Sequence, residues 1–167
     1  LDASRKPPAV TPAATPVDRV RLPDGQLPQP TRAKAAETVK NMTDPSYTGG
    51  SPQFQKEAEI IRTVGVTHDM DPHEAADKIF TSGLFNQSGD SLKQSLSAIR
   101  RYFGSMVDAD AGWEKQQSPW YDPKDSGSKI SLLKEMAQVP EHQLSDWYNK
   151  NAVRFQRETV QKPIYYR

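Results

Sequence analysis

The chain has 167 residues, with 22 basic and 21 acidic side chains, fourteen prolines and no cysteine. The near-cancelling charge sets up no global field toward nucleic acid or an anionic membrane. The missing thiols exclude disulfides, thiolate zinc sites and cysteine nucleophiles, and no apolar run approaches the length of a membrane span.

The first thirty residues, LDASRKPPAVTPAATPVDRVRLPDGQLPQP, hold seven of the fourteen prolines, and the first aromatic residue is Tyr47. Proline removes backbone donors and interrupts helix and sheet ladders, so this stretch buries too little apolar surface to offset its ordering entropy. It reads as an extended arm that needs a partner, with Leu22 and Leu27 expected to bury against another chain. Leu1 in place of an initiating Met is expected of processing or truncation, and processing would fit an organelle, a virion or secretion.

From Thr31 onward helix punctuation recurs. Thr31 is expected to cap a short helix through Met42 with Ala33, Ala36 and Val39 on one side, and Asp44-Pro45 and Gly49-Gly50 break the chain after it. Ser51-Pro52 pairs a cap with proline at the first helical position, and Phe54, Ala58, Ile61 and Val64 follow at helical spacing until Gly65. In Asp71-Pro72-His73-Glu74, Asp71 can accept from the Glu74 backbone while Glu74 reaches back, a capping box. Ile79 and Phe80 then point inward, and Gly83-Leu84 reads as a left-handed cap with its apolar contact.

A further helix starts at Ser88 or Asp90, carries Leu92, Leu96, Ile99 and Phe103 on one face, and is expected to end at Gly104. Residues 107–128 read as a long polar loop in which Trp113, Trp120 and Tyr121 pin the chain to its own body or to a partner. Helical spacing resumes at Ile130, Leu133 and Met136, and again at Leu144, Trp147, Tyr148 and Phe155. No segment alternates as a strand does, and no repeat is visible. The expected fold is all-α, a small helical bundle behind an extended Pro-rich arm. Residues 1–50 form the arm with one short helix, 51–160 the helical domain and 161–167 a C-terminal tail.

Chemistry-bearing patterns are sparse. VTHDMDPHE gathers His68, Asp69, Asp71, His73 and Glu74, but His68 and Asp69 precede the cap while Asp71 and Glu74 are committed to capping. Asp108 and Asp110 lack the alternating oxygens and following glycine of a calcium loop, and no acidic residue stands twelve positions into a loop at Asp122–Gly127. No glycine-rich phosphate loop or nucleophile–base set stands out, so no catalytic, cofactor or metal residue is assigned.

The segment SLLKEMAQVPEHQLSDWYNKNAVRFQRE is the most specific local pattern. It reads as a helix with Leu132, Leu133 and Met136, a tight turn at Gln138-Val139, and a second helix from Pro140. Leu144, Trp147 and Tyr148 face inward there, and Lys150, Arg154 and Arg157 face outward. Over residues 129–157 this resembles the helix-turn-helix half of a homeodomain, in which a small apolar residue ends the turn and a Trp-aromatic pair anchors the recognition helix. Val139, Leu144, Trp147 and Tyr148 stand at that family's spacing. The resemblance implies DNA contacts from the second helix, at Asn149, Lys150 and Val153. The family's base-reading asparagine is replaced by Lys150, however, and a phosphate-binding arginine by Ala152. Lysine cannot reproduce the bidentate adenine contact of asparagine.

From Asn149 to Arg167 the chain carries Lys150, Arg154, Arg157, Lys162 and Arg167 against Glu158 alone, and it closes on Ile164-Tyr165-Tyr166-Arg167. Arg and Tyr are enriched at protein interfaces, and basic-aromatic tails can also follow nucleic acid. Three readings follow. In the first, the chain is a non-catalytic subunit of a multiprotein assembly, in an organelle or a virion. It binds other protein subunits through Leu22, Leu27, Trp113, Trp120, Tyr121, Lys150, Arg154, Arg157, Tyr165 and Tyr166, and touches nucleic acid weakly and without sequence preference. The second is a tri-helical DNA-binding module, and the third a secreted effector with a helical host-protein-binding domain. The first is the reading carried forward.

Overall fold

The computed structural model describes residues 28–109 and 129–165, with side chains to Thr159. Every regular element among them is helical: α1 (Gln29–Thr43), α2 (Pro52–Thr63), α3 (Pro72–Thr81), α4 (Gly89–Ala109), α5 (Lys129–Ala137) and α6 (Leu144–Tyr165), with short 3-10 turns at Leu84–Asn86 and Glu141–Gln143. The all-α bundle expected from spacing is the fold. The arm residues 1–27 and residues 110–128 lie outside the described residues.

Local chemistry sets the helix starts. The Ser51 side chain accepts from the Phe54 backbone N–H at 3.0 Å, capping α2 as expected. Asp71 caps α3 by accepting from His73 N–H at 2.7 Å, one residue nearer than the expected Glu74. Gly83, with φ of 90°, takes the left-handed conformation after α3 and delivers the buried Leu84. Asp44 closes the turn after α1 by accepting from the Ser46 hydroxyl and backbone N–H, bonds that hold its carboxyl below the usual range.

Three boundaries differ from expectation. First, α1 starts at Gln29 rather than behind a Thr31 cap; Pro30 occupies the first turn, where a missing N–H costs little. Its inward face is Ala35, Val39 and Met42, leaving Ala33 and Ala36 exposed. Met42 is fully buried in the core and α1 packs along α4 and α2, so this helix belongs to the bundle body rather than to the arm. Arg62 of α2 locks it there, donating from Nε to Met42 O at 3.1 Å and from Nη2 to Asn41 O at 2.9 Å. Two carbonyls in the last turn of α1, its negative end, thereby gain a cation.

Second, α4 runs through Gly104 to Ala109, taking in the first residues assigned to the long loop and burying Val107. Apolar packing on both sides of Gly104 outweighs the roughly 1 kcal/mol that an interior glycine costs a helix. Third, α6 continues to Tyr165 instead of yielding to a separate tail at 161.

The long α4 is the axis of the bundle. It packs against α1, α2 and α5 and touches α6, while α3 packs on α5 and α6. Leu96, Ile99, Tyr102 and Phe103 supply its buried face, meeting Ile61, Ile79, Phe80, Leu132, Leu133 and Met136 in one core. Glu57 of α2, 1% exposed, is held by Arg101 of α4 and by Gln53 Nε2 at 2.7 Å. That buried carboxylate ties α2 to α4 and is satisfied from both sides.

Candidate interaction surface

The hairpin of α5, turn and α6 is built from its inner face outward. Buried Arg100 of α4 donates through Nε to the Val139 carbonyl, fixing the turn where α5 gives way to the Glu141–Gln143 3-10 turn. From there Leu144, Tyr148 and Phe155 bury one side of α6, with Trp147 and Ala152 packed partly against the core. Phe155, at zero exposure, is the hub. Its ring centroid stands 5.9 Å from Phe80, 5.1 Å from Phe85, 5.7 Å from Trp147 and 5.1 Å from Tyr148. The Phe85 carbonyl accepts from Gln156 Nε2 at 2.7 Å and from the Tyr148 hydroxyl at 3.5 Å. Burial pushes the Tyr148 phenol upward, and the Gln156 bond opposes that shift.

The flanks of α6 are consumed by the chain itself. Arg154 meets Glu135 of α5 in a two-pronged bond, Nη1 to Oε1 at 3.0 Å and Nη2 to Oε2 at 2.7 Å, and Nη1 also reaches Asn151 Oδ1 at 2.9 Å. Glu135 holds the guanidinium's pKa above its ordinary value. Arg154 therefore clips α5 to α6 while its side chain stays 34% exposed. Lys129 stands between Asp77 of α3 at 3.7 Å and Glu158 of α6 at 3.6 Å.

Outward among the described side chains of α6 stand Asp146, Asn149, Lys150, Val153 and Arg157, all exposed. Their spacing of three, one, three and four follows the helical repeat, so they share one face. Val153 is 69% exposed and is the large hydrophobic side chain left in solvent among the described residues. Lys150 and Arg157 stand on either side of it, about 10 Å apart along the axis at 1.5 Å per residue.

Of the residues assigned from sequence, Lys150 and Arg157 thus share the exposed face, and Arg154 lies at its edge against Glu135. Tyr165 ends α6, while Leu22, Leu27, Trp113, Trp120, Tyr121 and Tyr166 lie outside the described residues. Val153 was assigned only a base-contact position; its signal was an aliphatic residue interrupting an otherwise polar helical face. The Glu135–Arg154 pair spans nineteen residues and left no local signal.

Elsewhere, a shallow depression of about 600 Å³ opens beside α1, lined by Ala33, Lys34, Ala36, Glu37, Lys40 and His68. It is open to solvent and holds no nucleophile with an adjacent base. Among the described residues no group of three or more His, Asp or Glu side chains is placed to hold a metal ion, and no helix is long and apolar enough to cross a membrane. No protein-family model matches the chain, and neither a curated protein nor a solved structure shows significant similarity to it.

Proposed function

We propose that this protein is a non-catalytic interaction subunit of a multiprotein assembly, docking onto a neighbour through the outer face of α6. The observation that carries the reading is the exposed group of Lys150, Val153 and Arg157 on one face of α6, beside a face buried through Leu144, Tyr148 and Phe155. An exposed aliphatic residue between two cations gains little from water and more from a complementary surface. The Pro-rich arm, through Leu22 and Leu27, and the chain end at Tyr165-Tyr166 would extend the contact to further subunits.

A DNA-binding helix-turn-helix module is the second reading, and one observation favours it. Asn149, Lys150 and Val153, where the homeodomain resemblance places base contacts, all lie on the exposed side of α6. Against it stand the absent bidentate asparagine and the carboxylate of Asp146 on the same face, which repels phosphate.

A photo-crosslinking amino acid placed at position 153 in native cells separates the two, with exposed Thr81 as the control position. Discrete protein adducts at 153 and not at 81 are the expected result. Adducts to nucleic acid, together with enrichment of one defined sequence from a randomised duplex library at physiological salt, would establish the DNA reader instead. The absence of any adduct specific to 153 would refute both.

A further inference from the structure

We infer that the α6 stripe takes an acidic segment of a partner protein, one that seats an aliphatic side chain on Val153 between two carboxylates held by Lys150 and Arg157. This rests on the docking role proposed above and adds the chemistry of the partner.

The free charges on this face decide the sign. Among the basic residues of the hairpin, Arg154 is held by Glu135, and Lys129 sits between Asp77 and Glu158. Glu158 turns toward Lys129 at 3.6 Å and is partly buried, off the exposed face that carries Arg157. Lys150 and Arg157 are left as the exposed cations around Val153. A carboxylate is the complementary group for each. At Arg157 the planar guanidinium offers two parallel donors, so a carboxylate there can bind in a fork.

Spacing decides the form of the segment. The two cations are seven residues apart on one helix, about 10 Å along its axis. A partner helix matches this with acidic residues at i and i+7 and an aliphatic residue at i+3 or i+4. The same three groups fall on one side of a helix at those positions. Asp146, at the N-terminal end of the stripe, adds a direction, because a basic residue of the partner one turn beyond its first acidic residue would face it. Duplex nucleic acid fits less well. It presents a uniform row of anions, offers Val153 no aliphatic side chain, and would bring phosphates onto Asp146.

The test is selection of a phage-displayed library of random sixteen-residue peptides against the full chain, run in parallel with a randomised 20-bp duplex. Enriched peptides are expected to carry two acidic residues flanking an aliphatic one at helical spacing. Synthesised singly, they should bind about tenfold or more weaker to Val153→Asp, and to the double variant Lys150→Glu with Arg157→Glu. Rescue guards against a folding artefact: the double variant, selected afresh, should enrich basic residues at the same two positions, and its thermal midpoint should match the parent. Enrichment of neutral or basic peptides by the parent chain, no enrichment at all, or peptides whose binding ignores all three substitutions would overturn the inference. Sequence-selective duplex enrichment would overturn it as well. If crosslinking at position 153 captures protein while acidic peptides fail, the docking role survives and only the acidic partner falls.

Discussion

Phe155 carries more of the fold than its neighbour Trp147, and the difference is measurable. The Phe155 side chain is fully buried and meets four other aromatic rings from α3, the Leu84–Asn86 turn and α6 itself. Removing such a ring loses its transfer free energy and leaves a cavity, about 3–5 kcal/mol for Phe→Ala. The tilted and edge contacts place this site in the upper half of that range, about 4 kcal/mol. Trp147 touches Phe155 edge-on but is only half-buried, so Trp147→Ala is expected to cost about 2 kcal/mol. Urea unfolding followed by far-UV circular dichroism gives both numbers. With a slope of about 1.5 kcal/mol per molar, Phe155→Ala should lower the midpoint by roughly 2.5 M and Trp147→Ala by about half as much. Phe155→Leu, which keeps most of the volume, should cost about 1–2 kcal/mol and holds the comparison open if the alanine variant does not fold. A Phe155→Ala loss below about 1 kcal/mol, or a larger loss for Trp147→Ala, would refute the hub assignment.

Three further outcomes follow from particular contacts. A double-mutant cycle on Arg154 and Glu135 should return a coupling of under about 1 kcal/mol that shrinks in high salt, because both side chains are a third or more exposed and water screens the pair. Gly104→Ala should raise stability by about 0.5–1 kcal/mol in the same denaturation assay: a Cβ there would sit 3.8 Å from the Ala137 carbonyl oxygen and 3.9 Å from its Cβ, ordinary contact, while helix entropy improves. Burial pushes the Tyr102 phenol far above its usual value, so the folded state holds that proton more tightly than the unfolded chain does. Its contribution is complete below about pH 10 and is lost as pH rises from there toward the raised value. Thermal midpoints should therefore fall steeply above pH 10, and less steeply in Tyr102→Phe.

Where α2 and α3 begin, and that the chain is all-α, was legible from residues a few positions apart. Ser51 and Asp71 cap through N–H groups two or three residues on, and Gly83 turns the chain by its own φ. Such signals are complete within one turn of backbone, so no distant contact is needed to fix them. Which face of a helix is buried, and which charges remain free, depends on what lies opposite, and spacing alone does not say. Spacing grouped Ala33, Ala36 and Val39 on one side of α1, but packing on α4 and α2 took Ala35, Val39 and Met42. Gly104 looked like a stop, and the apolar surface of α5 beside α4 carried the helix through it. Lys150, Arg154 and Arg157 were equivalent in sequence. Only the approach of α5, which brings Glu135 to within 2.7 Å of Arg154, separates an internal clip from the two cations left beside Val153. Local backbone chemistry set the caps and turns; the exposed face of α6 emerged from which side chains the packed helices had already used.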